Sequence, residues 1–171
     1  VTTPGTYTVT ATGANGCINT TSVSITENIT LPVVNISSSN GSVINCTIPS
    51  ITLTATGGGT YEWDSNGTIL GTSASILVNT QGNYSVSVIG ANGCANTANF
   101  NITEDLSAPT SSISSVPGNI LTCTTTSITL TASGSGTYTW TQNGNSLGVA
   151  NTINVNNPGT YNLLVTGANG C

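Results

Sequence analysis

The chain of 171 residues contains no Lys, Arg or His and only five carboxylates, for a net charge of −5 at pH 7. Those absences remove the usual general base near neutral pH, the Ser/His and Cys/His nucleophile pairs and the Schiff-base lysine, together with the cations that neutralise phosphates. Neither an enzyme nor a nucleic-acid-binding protein is expected, and no run of about 20 apolar residues exists to span a bilayer.

A hydrophobic fraction of 36% with regular alternation also argues for folding, because disorder needs low hydrophobicity and high net charge together. In chain order, Tyr7 and Val9 alternate with threonines, a Gly13-Ala14-Asn15-Gly16-Cys17 turn follows, and Val23 and Ile25 alternate again. Past Leu31-Pro32 come Ile51, Leu53 and Ala55, then Gly57-Gly58-Gly59, then Tyr61 and Trp63 on one face. Asn66-Gly67 turns the chain, Ile76 and Val78 share a face, and Tyr84, Val86 and Val88 precede Asn92-Gly93-Cys94, with Phe100 and Ile102 beyond. Period-two alternation between Gly- and Asn-rich turns predicts strands with one buried face. The Asn-Gly dipeptides predict type I′ hairpins, which need positive φ at both central residues.

The same landmarks return 77 residues on. The Gly-Ala-Asn-Gly-Cys phrase recurs at Gly90 to Cys94 and at Gly167 to Cys171, Cys46 matches Cys123, and Trp63 and Tyr84 match Trp140 and Tyr161. A fixed period of domain size implies an array of like modules. The fold class expected is all-β: tandem immunoglobulin-like β-sandwich modules of about seven strands. Residues 1–28 would be the last two strands of one module, 29–105 a complete module, and 106–171 a module without its last strand. The row is expected to be a window from a longer chain. Trp63, Tyr84, Trp140 and Tyr161 are the predicted core aromatics, Trp on the third strand facing Tyr on the sixth.

Five cysteines without His or any CxxC pair argue against zinc and for disulfides made outside the cytoplasm. Three pairings keep the period. Cys46 with Cys94 and Cys123 with Cys171 lie within modules, leaving the partner of Cys17 outside the sequence; Cys17 with Cys46 and Cys94 with Cys123 would staple successive modules; Cys46 with Cys171 crosses the junction. The first is preferred, although it requires that the strand leading to Cys46 run far up the sandwich. No catalytic, cofactor-binding or metal-ligating set is assigned. Glu62 and Asp64 beside Trp63, and Glu27, Glu104 and Asp105 at the module boundaries, read as solvated carboxylates, since calcium takes six to eight oxygens.

The run Gly82-Asn83-Tyr84-Ser85-Val86-Ser87-Val88-Ile89-Gly90-Ala91-Asn92-Gly93-Cys94, followed by Thr103-Glu104-Asp105, resembles the ending of modules in giant surface proteins of gliding bacteria, the SprB-type adhesins. The upstream Cys46, Ile51 to Ala55, Tyr61 and Trp63 fit the same repeats. Gly90-Ala91 stands where the family often has Asp. The resemblance implies an extracellular or cell-surface filament exported by the type IX secretion system and used in adhesion, gliding or biofilm attachment. Its partners would be neighbouring repeats of the same chain and other filament strands, with a surface or glycan ligand elsewhere in the protein. The function expected is therefore a structural stalk; the alternative is a set of carbohydrate- or protein-binding modules. Aromatics that repeat inside strands, and not in loops, favour the stalk.

Overall fold

The computed structural model describes residues 1–171, which form sixteen strands and no helix. Strands β1 (Gly5–Thr12) and β2 (Ile18–Ile25) make an antiparallel hairpin in register from Gly5 opposite Ile25 to Thr12 opposite Ile18. They pair only with one another. Val9, Val23 and Ile25, expected on a buried face, are consequently exposed. Alternation puts them on one face; burial needs a second sheet against that face, and none packs there.

The second unit contains β3 (Asn35–Ser38), β4 (Val43–Asn45), β5 (Ile51–Thr56), β6 (Gly59–Ser65), β7 (Thr68–Gly71), β8 (Ser75–Val78), β9 (Gly82–Gly90) and β10 (Ala95–Asp105). One sheet runs β3-β5-β8 and the other β4-β10-β9-β6-β7. The inner faces of both contribute Ile51, Leu53, Trp63, Val86 and Ile102 to a single core. Eight strands stand where about seven were expected, because the first splits. At Asn40-Gly41 the chain turns, with Gly41 at φ +71°, and β4 leaves the first sheet to join the second, parallel to the end of β10.

The third unit comprises β11 (Ser112–Val116), β12 (Ile128–Ser133), β13 (Thr137–Gln142), β14 (Asn145–Gly148), β15 (Thr152–Val155) and β16 (Tyr161–Thr166). Its sheets run β11-β12-β15 and β14-β13-β16. Ile128, Leu130, Ala132, Trp140 and Val155 form its core.

Trp63 and Trp140 are fully buried, and each indole donates to a carbonyl ten residues on, Ser73 and Ala150, both at 2.9 Å. A buried indole N–H without an acceptor would be costly, so the backbone carbonyl is part of what permits Trp here. Tyr84 is buried and Tyr161 half-buried. Their hydroxyls donate to carbonyls four residues upstream, Thr80 at 2.8 Å and Asn157 at 2.7 Å, and Tyr7 does the same to Thr3 at 2.8 Å. This is the corner that tethers the entry of a strand in sandwich folds.

The Asn-Gly turns fall into two kinds. Asn66-Gly67 (φ +51°, +81°) and Asn143-Gly144 (φ +50°, +81°) have both central residues left-handed, as a type I′ hairpin requires. In the three Gly-Ala-Asn-Gly-Cys turns only the second Gly is left-handed, at φ +76° to +79°. These turns close with Gly13 N–H donating to the Cys17 carbonyl and Gly16 N–H to the Gly13 carbonyl, repeated at Gly90 and Gly167. They are three-residue loops with a glycine bulge, not the type I′ turns expected. The Asn is freed from the strained conformation, and its side chain is available for other contacts.

Candidate functional site

The chemistry-bearing feature of the molecule is the junction between the second and third units. Cys46 lies just after β4, whose Asn45 sits opposite Asp105 at the far end of β10. Cys94 immediately precedes Ala95 at the start of β10. The two cysteines therefore mark opposite ends of one eleven-residue strand, a span of roughly 33 Å at about 3.3 Å per residue. Disulfide Cα atoms must lie within about 7 Å. The pairing preferred from sequence, Cys46 with Cys94 and Cys123 with Cys171, is corrected by this geometry.

Cys46 is bonded to Cys171 instead, across the junction, with a Cα–Cα distance of 5.1 Å. Cys17, Cys94 and Cys123 are unbonded, Cys17 and Cys123 being exposed and Cys94 half-buried. The end of the second unit that carries Cys46 meets the Gly167-to-Cys171 turn of the third. Cys46 N–H donates to the Asn169 carbonyl at 3.1 Å. Gly170 lies against Thr47 so closely that any Cβ there would collide with the threonine side chain, and its φ of +79° disfavours other residues as well. Glycine is required at this position on both counts.

Asn169 completes the junction. Its Nδ2 faces the Asp105 carbonyl (3.3 Å), Asp105 Oδ1 (3.0 Å) and the Ser107 carbonyl (2.9 Å), so one amide gathers the connecting segment. Its Oδ1 accepts from Cys171 N–H at 3.2 Å, which orients the cysteine. An amide nitrogen carries two hydrogens, so three acceptors share two donors. The same clasp stands one period earlier. Asn92 Nδ2 reaches the Asn28 carbonyl (3.2 Å), Asn28 Oδ1 (3.2 Å) and the Thr30 carbonyl (2.9 Å). Asp at 105 and Asn at 28 both offer an Oδ1 acceptor, which is the property the clasp uses.

Asp105 thus acts as an acceptor for Asn169 and not only as a solvated charge. Asp64 Oδ1 accepts from Gly67 N–H at 3.3 Å inside its hairpin turn, and Glu62 lines an open surface hollow with Tyr61 and Ile89. No group of three or more His, Cys, Asp or Glu is gathered as a metal site would need. The Asn clasp was missed in the sequence because Asn-Gly reads first as a turn signal. The available signal was that the whole five-residue phrase recurs, whereas a turn alone needs only two of those residues.

Fold and junction together define an all-β protein in which a two-sheet unit is covalently and polarly braced to the unit that follows. Comparison with protein-family models finds no match, and comparison with curated proteins finds none either.

Proposed function

We propose that the chain is a stretch of stalk: tandem immunoglobulin-like modules of a long extracellular adhesin or filament. Its work is to carry length and load in adhesion, gliding or biofilm attachment. The observation that carries the reading is the junction between the second and third units, where a disulfide and an Asn clasp fix one unit to its successor in place of a free linker. Supporting it are the 77-residue period, the tyrosine corners and the resemblance to SprB-type repeats, from which export by type IX secretion follows. A disulfide is compatible with an oxidising location, the cell exterior in this reading. No helix of the protein is long and apolar enough to cross a membrane.

The test is surface labelling of the cells that make the protein. An antibody raised against the 171-residue chain is expected to decorate extended fibres on intact cells, and deletion of the encoding sequence to reduce attachment or gliding. Label that appears only after the cells are permeabilised would overturn the proposal.

A further inference from the structure

We propose that the chain is modified at Asn143-Gly144 by spontaneous deamidation, and that the Asn clasp protects Asn92 and Asn169, which stand in the same dipeptide, from that reaction.

The dipeptide is what the reaction needs. Asn is among the thermolabile residues, and a following glycine has no side chain to keep its backbone nitrogen away from the Asn side chain. The glycine nitrogen gives up its proton to solvent and attacks Asn Cγ, the bond from Cγ to Nδ2 breaks, and ammonia leaves. A five-membered imide remains. Water opens it at either carbonyl, to Asp or to isoaspartate, whose main chain is longer by one methylene. One water enters, one ammonia leaves and no electron is exchanged. Asn66-Gly67, Asn92-Gly93, Asn143-Gly144 and Asn169-Gly170 share this sequence requirement. They differ in what holds the two reacting groups.

In the clasped turns both groups are engaged. Asn92 Nδ2 is shared among the Asn28 and Thr30 acceptors, its Oδ1 accepts from Cys94 N–H at 3.2 Å, and Gly93 N–H donates to the Gly90 carbonyl at 2.9 Å. Asn169 repeats this with Asp105 and Ser107, and Gly170 N–H donates to the Gly167 carbonyl at 3.0 Å. Side chain and nitrogen must both leave their partners before they meet, so the reaction waits on a local opening. Asn143 has no such restraint. It is exposed, and neither its amide nor Gly144 N–H has a hydrogen-bond partner in the protein. Exposure alone does not separate the sites, since Asn92 is exposed as well. Asn66 is intermediate: its amide is free, but Gly67 N–H donates to Asp64 Oδ1 at 3.3 Å. That carboxylate restrains the nitrogen and, as a nearby negative charge, opposes its deprotonation. One period on, Thr141 stands in the place of Asp64.

The consequences differ as much as the restraints. Asn143 turns the chain onto β14, which pairs only with β13 at the edge of its sheet, so a lengthened main chain there disturbs an edge strand. At Asn169 the same change replaces the Nδ2 donor by a carboxylate oxygen facing Asp105 Oδ1 and two carbonyls, acceptor against acceptor, and the clasp is lost. The bonds that brace the junction therefore also preserve the group that makes them.

The experiment does not depend on the stalk reading, since cells play no part in it. The purified chain is aged near neutral pH in heavy-oxygen water, so that each hydrolysed imide carries a label, then reduced, cut with chymotrypsin and read by mass spectrometry with fragmentation. Among the four pairs, label is expected first at Asn143 and later at Asn66. At Asn92 and Asn169 it should come at least tenfold more slowly than at Asn143, which corresponds to about 1.4 kcal/mol of local opening. In urea, with the disulfide reduced, the four sites should label at closely similar rates. Asp64→Thr should bring Asn66 up to the rate of Asn143, and Thr141→Asp should slow Asn143, each variant taking the residue that the other unit carries at that place. Asn92 or Asn169 labelled as fast as Asn143 would overturn the proposal, as would a spread of rates that persists in urea. Protection at Asn169 alone would assign it to the disulfide, because Cys94 is unbonded, and would overturn the role of the clasp. An Asp64→Thr chain in which Asn66 reacts no faster would overturn the part given to Asp64.

Discussion

Trp63 combines the largest buried side chain with a satisfied polar atom, so two substitutions at the residue scale separate packing from hydrogen bonding. Trp63→Ala removes the indole from a core of ten buried residues and is expected to cost about 3–5 kcal/mol, read as a lowered urea midpoint. Tyr84→Phe keeps the ring and loses only the hydroxyl, which bonds the Thr80 carbonyl and the Thr80 hydroxyl, an expected cost of about 1 kcal/mol. A Tyr84→Phe effect as large as that of Trp63→Ala would show that the corner, and not the core, sets stability. Asn169→Ala tests the clasp separately from both cores. Loss of about 1 kcal/mol of polar contact should shift the Cys46–Cys171 equilibrium against glutathione roughly fivefold toward the thiols, with unit stability unchanged. An unshifted thiol-disulfide equilibrium would mean that Asn169 only shapes its own turn.

At the scale of elements, the two kinds of Asn-Gly turn should differ in their response to glycine. Asn66→Ala puts a Cβ without a compensating polar side chain at φ +51° and is expected to cost about 1 kcal/mol, whereas Asn66→Gly should be nearly neutral by thermal melting. Asn15 is not left-handed, so Asn15→Gly should gain no relief of strain and should cost about 1 kcal/mol, as Asn15→Ala does, through loss of the bond to Cys17 N–H. Equal responses at the two sites would contradict the assignment of turn types. The contrast also marks what was legible from the sequence. Strand positions and inward faces follow from local alternation, which is why Trp63, Leu53 and Val86 could be placed in a core. The partner of Cys46 depends on where strands end relative to one another, and the split at Asn40-Gly41 that carries β4 into the second sheet leaves no period-two signal. The phase of the cysteines narrowed the pairings to three; the length of β10 excludes the one within a module, and the meeting of Cys46 with the Gly167-to-Cys171 turn selects the pairing found. The recurring phrase marks Asn169, but its partners were not legible for a related reason, because they are mostly backbone carbonyls, which every residue has.

For the molecule as a whole, the near-absence of charge and the path of the disulfide make two further predictions. With no basic side chain and five carboxylates, folding gains little from ion pairs that salt could screen. The melting temperature should therefore stay nearly constant from low to molar sodium chloride, and a large salt dependence would point to a bound ion. The disulfide governs extension. A load applied between Val1 and Cys171 can pass from Cys46 directly to Cys171, bypassing a sequence separation of 125. The strands from β5 to β16, including most of both cores, lie inside the closed loop and are shielded from the pull. In single-molecule stretching the oxidised chain is expected to release only the β1–β2 hairpin and then β3 and β4 before it becomes taut. Adding a reductant should expose both cores to the load and free roughly 410–450 Å more contour, at about 3.3–3.6 Å per residue. Core-unfolding steps already present in the oxidised trace would show that the load does not take the disulfide path, and would remove the mechanical reason for bracing one unit to the next.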